Sequence, residues 1–182
     1  MGEQYERLTG RLEEFLLTQP VFFVGTAPNG PDGHVNVSPK GLIGTFAVLD
    51  ERTVAYLDFT GSGVETIAHL RENGRIVLMF CAFQGPPKIV RLHGRGEVVL
   101  PEDSRFRMLR AHFRPACDLG VRAIIVVSLT RISDSCGYAV PLLRYEGDRD
   151  LLDRWSAKPR SGGLATYRAQ HNATSIDGLP GL

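Results

Sequence analysis

A lysine flanked by proline and glycine closes a segment that alternates like a β-strand. Residues 34–41 read HVNVSPKG, and the alternation through Ser38 is typical of a half-buried strand. Proline cannot donate to a sheet ladder, and glycine allows turns that other residues resist. We therefore expect the strand to stop at Pro39 and the chain to turn at Gly41. The Lys40 ammonium is then either a solvated turn residue or part of an anion-binding site.

A second candidate anion site lies at the start of a predicted helix. In DFTGSGVETIAHL, residues 58–70, a strand is expected to end at Thr60 and a helix to begin at about Gly63. Ser62 and Glu65 have the spacing of a capping box, in which the hydroxyl accepts a backbone N–H and the carboxylate reaches back. The segment is either a well-capped helix or a phosphate cradle, because free N–H groups and the dipole at a helix start attract anions.

Motifs for other common chemistries are absent from the sequence. The three cysteines are widely separated with no C-x-x-C pair, the five histidines lack metal-ligand spacing, and no G-x-S-x-G is present. We therefore expect no metal site, no disulfide framework and no serine triad. The cysteine usage predicts a reducing, cytoplasmic location. No catalytic acid or base is assigned.

Composition and charge describe an ordinary globular chain of about one domain. The 182 residues are 43% hydrophobic and 23% charged, with a formal net charge of +1. This balance gives no reason to expect nucleic acid or an anionic membrane as a partner. The longest strongly apolar run, residues 123–129, is too short to cross a bilayer. The charged N-terminal segment is not typical of a secretory signal.

The elements that must position the candidate residues are mostly strands. Helical spacing predicts a first helix over residues 8–19, and two more helices are predicted over residues 62–73 and 101–113. Seven segments rich in β-branched and aromatic residues predict strands: VFFVGTA, HVNVS, LIGTFAVL, TVAYLDF, RIVLMFCAF, KIVRLHGRGEVVL and RAIIVVSLTRIS. Six or more strands with few intervening helices predict a closed or partly closed antiparallel barrel.

This order of elements resembles the pyridoxamine 5′-phosphate oxidase-like family of flavin-binding split barrels. The resemblance spans roughly residues 15–135 and rests on strand HVNVSPKG, strand YLDFTGSG, helix VETIAHLREN and strand GRIVLMFCAF. The segment from Cys136 onward also resembles the tail of a bacterial branch of this family. The resemblance implies a mainly β fold, a six-stranded antiparallel split β-barrel with flanking helices, over residues 1–140. Residues 141–182 are then expected to form a helical extension and tail.

The resemblance assigns a cofactor site to both candidate segments. Val37, Ser38 and Lys40 match the strand that runs along the isoalloxazine ring of the family's flavin. Phe59 and Thr60 match an aromatic–threonine pair beside the ring, and residues 62–66 match the turn that holds the phosphate. The cofactor-binding residues predicted in this way are Val37, Ser38, Lys40, Phe59, Thr60, Gly61, Ser62, Glu65 and Thr66.

The chain departs from the family pattern at the start of the helix. Oxidases of the family place adjacent basic residues there, whereas this chain has Glu65 and Thr66. Either Glu65 caps the helix while Lys40 and Thr66 hold the phosphate, or the pocket takes another cofactor or none. The arginine and histidine signature for the substrate phosphate is also missing near the C-terminus, so pyridoxamine phosphate is not expected to be the substrate.

The function implied by the resemblance is an FMN-dependent oxidoreductase that acts on a small organic substrate. The family usually forms homodimers with the cofactor at the subunit interface, so a homodimer is expected. A deazaflavin-dependent reductase on the same barrel is a close variant. The alternative from another class is a non-catalytic flavin-binding sensor or carrier, which Glu65 favours.

Overall fold

The fold is built on strands, with helices at its periphery. The computed structural model describes residues 2–115 and 117–182. The strands of that part of the chain are β1 Gln4–Tyr5, β2 Val21–Thr26, β3 Asn36–Gly41, β4 Phe46–Asp50, β5 Thr53–Phe59, β6 Arg75–Cys81, β7 Ile89–Val99 and β8 Val121–Ser135. The helices there are α1 Gly10–Thr18, α2 Glu65–Asn73, α3 Phe106–Arg110, α4 Leu151–Ala157 and α5 Gly163–His171.

All eight strands form one antiparallel sheet that curls back on itself. The order is β3-β2-β6-β7-β8-β5-β4, and β1 pairs with β8. Phe22 of β2 and Phe46 of β4 come from opposite sides of this order, yet their ring centroids are 5.4 Å apart. The predicted mainly β, antiparallel barrel with flanking helices is confirmed. The described residues form eight strands rather than six. All seven predicted segments form strands, and the eighth, β1, has only two residues and is too short to show a sequence pattern.

Two apolar clusters lie on opposite faces of the sheet. The inner cluster includes Phe22, Leu78 and Phe80, and helix α1 adds Leu12 and Leu16 to it. The outer cluster packs α3 and the segment after it against β5 and β8. Strands β5 and β8 are therefore buried on both faces, which explains their nearly continuous apolar sequences. A charged side chain inside such a strand must find a partner.

The end of β3 differs from the sequence-based expectation. The strand does not stop at Pro39; it continues to Gly41, with Pro39 opposite Phe23 of β2. Proline is tolerated because β3 is an edge strand and needs no donor on its open side. The turn follows at Leu42, whose φ of 70° is left-handed. It is therefore Leu42, rather than Gly41, that turns the chain away from the strand.

Two helices begin elsewhere than predicted. Helix α2 starts at Glu65, its N-cap is Val64, and no side chain caps it. The predicted capping box is therefore wrong, because the helix begins too late for Ser62 to be its cap. Helix α3 covers only part of the predicted 101–113 segment. Before it, Asp103 Oδ1 accepts the N–H of Arg105 at 2.8 Å, a local turn that competes with helical hydrogen bonding.

The chain after β8 returns to the barrel by way of an exposed segment. Every residue from 141 to 150 is exposed, and the helices α4 and α5 follow. The tail then packs on the barrel, where Asn172 is fully buried and Leu182 contacts the inner apolar cluster. Within the described residues, no helix is long and apolar enough to cross a membrane.

Candidate functional site

Lys40 lies at the end of β3 and faces into the protein. Its Nζ is 2.9 Å from Oδ1 of Asp58, and its side chain is only 21% exposed. The same ammonium lies 5.9 Å from the centroid of the Tyr56 ring. The strand alternation places Lys40 on this face, because the neighbouring Pro39 is exposed on the other side. Lys40 is therefore not a solvated turn lysine.

Asp58 is a fully buried carboxylate held between two cations. Its second oxygen, Oδ2, accepts a hydrogen bond from Nε of Arg122 at 2.7 Å, and the Arg122 side chain is 5% exposed. Burial by itself raises the pKa of Asp58, but the charges and hydrogen bonds of Lys40 and Arg122 outweigh it and hold the pKa below its ordinary value. Asp58 therefore carries a negative charge at neutral pH.

The tail joins this ion-pair network to the turn after β5. Arg122 donates from Nη1 to Oδ1 of Asn172 at 2.8 Å. Asn172 in turn donates from Nδ2 to the carbonyl oxygen of Gly61 at 2.9 Å. Arg168 of α5 donates from Nε to Oγ1 of Thr60 at 2.8 Å. One connected set of hydrogen bonds therefore links the end of β3, the end of β5, the start of β8 and the tail.

Positive charge exceeds negative charge in this region. Lys40, Arg122 and Arg168 contribute three cations, whereas Asp58 is the one carboxylate hydrogen-bonded to them within the described residues. Burial lowers the pKa of Arg168, and the nearby Arg122 charge lowers it further, while Glu102 and Asp58 act in the opposite direction. A region of net positive charge next to a pocket favours an anionic ligand.

The turn between β5 and α2 presents backbone donors. Among the described residues, the N–H groups of residues 61–65 make no hydrogen bond. Because a trans peptide points its C=O and N–H in opposite directions, the bond from Asn172 to the Gly61 carbonyl turns the N–H of Ser62 away from the tail. Helix α2 begins directly after, so its dipole adds to these donors. The turn can therefore donate several hydrogen bonds to an anion.

Glu65 lies close to this turn and opposes an anion there. A Cβ atom placed on Gly63 would be 2.4 Å from Oε2 of Glu65, so the carboxylate folds back over the Gly63 backbone. A negative charge in the first turn stabilises the helix but repels a bound phosphate. The carboxylate is half-exposed and ends a flexible side chain, so it can move aside.

A second polar network fills the space between β2, β3 and α2. Asn36 donates from Nδ2 to Oγ1 of Thr26 at 3.2 Å and to Oγ1 of Thr66 at 3.1 Å, and it accepts from the Ser38 hydroxyl at 3.0 Å. Nδ1 of His69 lies 3.0 Å from Oγ1 of Thr26. The other ring nitrogen of His69 is buried with no partner among the described residues. The hydroxyls of Ser38 and Thr66 therefore serve mainly to hold β3 against α2.

A pocket of about 630 Å³ opens beside the ion-pair network. We call it the polar compartment. Lys40 and Leu42 line it from β3 and the following turn, and residues 59–61 line it from the end of β5. The exposed segment closes the far side with residues that include Tyr145 and Arg149. Its volume lies within the range of small-molecule and cofactor sites.

The structure distributes the predicted site residues over four places. Lys40, Phe59, Thr60 and Gly61 line the polar compartment. Ser38 and Thr66 belong to the neighbouring network, and Ser62 and Glu65 lie on the turn and first helical residue beside it. Val37 is 65% exposed on the opposite face of β3. The Thr60 hydroxyl is already engaged, since it donates to the Gly120 carbonyl and accepts from Arg168.

Several residues of the site were not predicted from the sequence. Asp58 and Arg122 carried a usable signal, because each is a charged residue in or next to a run that is otherwise apolar. Such a position requires a partner of opposite charge. Asn172 and Arg168 carried no signal, since they lie in a polar helical segment and reach the site only through the return of the tail. In residues 2–115 and 117–182, no cluster of His, Cys, Asp and Glu is arranged to hold a metal ion.

Comparisons with solved structures support the fold. HupZ from Group A Streptococcus is 19% identical over 69% of this chain and 91% of its own, with a TM-score of 0.51. A putative 5-nitroimidazole antibiotic resistance protein from Bacteroides thetaiotaomicron is 16% identical over 74% of this chain and 87% of its own, with a TM-score of 0.50. At these identities the likeness concerns the fold alone.

Sequence comparisons give the family. A sequence model described as pyridoxamine 5′-phosphate oxidase matches residues 8–136. A protein of Aspergillus flavus named pyridoxamine 5′-phosphate oxidase family protein ustO is 42% identical over 192 aligned positions, which cover 98% of this chain and 77% of the relative. This chain belongs to the pyridoxamine 5′-phosphate oxidase family.

Proposed function

We propose that the protein is an FMN-binding oxidoreductase that acts on a small organic molecule. The observation that carries the proposal is the cationic strand end, where Lys40 is held by Asp58 beside the 630 Å³ polar compartment. Family membership supports the choice of a flavin, since the resemblance noted in the sequence implies FMN.

The residues present fit a phosphorylated flavin. Lys40 supplies a positive charge at the pocket wall, and Gly61 at the same wall begins the turn of residues 61–65, whose N–H groups are free within the described chain. These are the two kinds of group that bind phosphate at helix starts. Phe59 and Leu42 give the same compartment apolar walls against which a flat ring can pack.

In this proposal each residue has a physical task. A flavin, when bound, supplies hydride or electron transfer. Lys40 holds the anionic end of the ligand, and Asp58 fixes the position of the Lys40 ammonium. Arg122 keeps Asp58 ionised, and Asn172 orients the turn by holding the Gly61 carbonyl. No side chain of the compartment is assigned as a proton donor or acceptor for the substrate.

We also propose that the chain forms a homodimer. The outward face of β2, β3 and β6 carries apolar side chains that are exposed or half-buried, including Val37, Val77 and Met79, none of which lines the two pockets beside the exposed segment. Contiguous apolar surface of this kind marks an interaction site. Light scattering at micromolar concentration should give about twice 20.0 kDa, and a clean monomer would contradict the proposal. The cytoplasmic location stays a prediction from the sequence.

A spectrum of the purified protein tests the proposed function. We expect flavin absorption bands and a released ligand with the mass of FMN, and bleaching of these bands by NADH or NADPH would separate an oxidoreductase from a carrier. Apo-protein that is reconstituted with FMN and still shows no binding would contradict the proposal. A bound deazaflavin would replace the cofactor but keep the redox role.

A further inference from the structure

A second cavity lies next to the polar compartment and differs from it in chemistry. It measures about 490 Å³ and is lined mainly by apolar side chains, among them Val21, Phe23, Phe83 and Leu143. We call it the apolar compartment. Val21 and Phe23 face it because β2 alternates, with Phe22 between them in the inner core. None of the predicted cofactor residues lines this cavity.

The two compartments share a wall. Pro20, Val21 and Tyr145 line both of them. The Tyr145 hydroxyl donates to Oδ1 of Asp148 at 2.8 Å, so the side chain is held at this boundary by its own segment. A ligand in the apolar compartment would therefore lie beside a ligand in the polar compartment.

The exposed segment builds the outer side of the apolar compartment. The N–H of Leu143 donates to the carbonyl of Phe83 at 2.9 Å, which fixes the segment to the loop between β6 and β7. Further along, Asp148 accepts the N–H of Ile43 at 2.8 Å and fixes the segment to the turn after β3. These two hydrogen bonds hold the part of the segment that contributes Leu143, Arg144 and Tyr145 to the cavity.

The rim of the apolar compartment is polar. Gln84 and Arg144 line it, and both are exposed. Arg144 gives the rim a positive charge, while the interior is formed by aromatic and branched aliphatic groups. A small molecule with an apolar body and one anionic end fits this arrangement, because the body is removed from water and the end stays near the guanidinium.

We propose that the apolar compartment binds the organic substrate, and that this substrate has an aromatic or branched aliphatic body with an anionic end directed to Arg144. The proposal rests on the proposed function for its redox role, since the flavin would occupy the neighbouring polar compartment. The existence of an apolar binding site does not depend on the flavin.

Binding of 8-anilinonaphthalene-1-sulfonate, an aromatic molecule with one anionic group, tests the proposal by fluorescence. Leu143→Asp places a charge in the apolar wall, and we expect at least about tenfold weaker probe binding, the loss that corresponds to one apolar side-chain contact. Leu142→Asp is the matched control, because it introduces the same charge one position away. Leu142 is 78% exposed and lines neither compartment. The control should bind the probe as the wild type does.

Titration of the same three proteins with FMN separates the two proposals. We expect equal FMN affinities, and energy transfer from the probe to FMN when both are bound to the wild type. Specific probe binding without any FMN binding would contradict the flavin function and leave the apolar site in place. Equal probe binding by the Leu143 and Leu142 variants, or full displacement of the probe by FMN, would overturn the inference. Conversion of a dimer to a monomer by Leu143→Asp would also overturn it, because a second copy would then cover the cavity.

Discussion

The two compartments share a wall but are held in place by different means. The polar compartment rests on β5 and β8, where Asp58 has no exposed side-chain surface and makes ion pairs with Lys40 and Arg122. The apolar compartment depends on the segment of residues 141–150, all of which are exposed. The polar compartment therefore has a fixed inner wall within the sheet, whereas the exposed segment, which a few hydrogen bonds attach, forms an outer wall of both compartments.

The buried ion-pair network and the exposed segment are expected to differ in rigidity. A buried network of charges keeps its geometry only if every member has a partner, so it favours one ligand position. A segment with exposed hydrogen bonds and few buried contacts opens locally at low free-energy cost. We therefore expect the ion-pair network to be the rigid part of the site and the exposed segment, which borders both compartments, to be its adaptable part.

The largest effect is expected from removing the central carboxylate. Asp58→Asn leaves Lys40 and Arg122 without a negative partner, and breaking a buried pair in this way costs about 3–5 kcal/mol. Urea unfolding should show this loss in the free energy of unfolding. Asp32, an exposed carboxylate, gives the control Asp32→Asn, for which we expect a change within about 0.5 kcal/mol. A loss below about 1 kcal/mol for Asp58→Asn would mean that water reaches the network.

The attachment of the tail should contribute less than the central carboxylate. Asn172→Ala removes the acceptor for Arg122 in a buried bond and the donor to the Gly61 carbonyl in a partly buried one. Leaving buried groups unpaired costs about 1–3 kcal/mol. The variant should also show faster hydrogen exchange at residues 172–182. Unchanged exchange there would show that Leu182 and its neighbours hold the tail without Asn172.

Acid should weaken the network between β2, β3 and α2. Burial lowers the pKa of His69, although the negative charges of nearby carboxylates, those of Asp177, Glu65 and Glu72, act to raise it. The folded state therefore favours the neutral ring. The unfolded chain binds a proton below about pH 6.5, so stability is lost as the pH falls below that value. We expect a loss of up to about 2 kcal/mol between pH 7 and pH 5. His69→Leu should flatten this dependence; an unchanged slope would assign it to other groups.

Asp148, the carboxylate that attaches the exposed segment to the turn after β3, should contribute least to the free energy of unfolding. Asp148 accepts hydrogen bonds from Ile43 and Tyr145, but it lies at the surface. Asp148→Ala should therefore change the free energy of unfolding by less than about 1 kcal/mol. Hydrogen exchange at the Ile43 amide should nevertheless become faster. A loss as large as that of Asp58→Asn would remove the contrast between the buried ion-pair network and the exposed segment.

The strands could be predicted because their causes are local. β-Branched and aromatic residues between turn residues identified all seven main strands, and apolar spacing identified α1 and α2. Helix boundaries were less predictable, because the hydrogen bond from Arg105 to Asp103 and the start of α2 at Glu65 depend on local alternatives with similar free energies. The predicted strand end at Pro39 was wrong for another reason. Proline interrupts a strand in the middle of a sheet but is tolerated at an edge, and the sequence alone does not show that β3 is an edge strand.

The site was only partly predictable because its key contacts join distant segments. Lys40 and the turn after Phe59 were identified, but their connection through Asp58 requires the pairing of β5 with β8. Asn172 reaches the turn only because the tail returns to the barrel. The apolar compartment could not be predicted at all, since one of its walls is a segment without regular structure that follows the last strand.

The measurement that tests the account most directly is a titration of apo-protein with FMN and with riboflavin, which lacks the phosphate. Lys40→Met removes the charge and keeps most of the stem, while Lys88→Met is the control, because Lys88 also pairs with an aspartate, Asp134, at 3.2 Å but lines neither compartment. We predict that Lys40→Met weakens FMN binding about ten- to a hundredfold and leaves riboflavin binding unchanged. Added salt should weaken FMN binding more in the wild type than in this variant. Equal FMN affinities in the wild type, Lys40→Met and Lys88→Met would contradict the claim that the cationic strand end holds the phosphate.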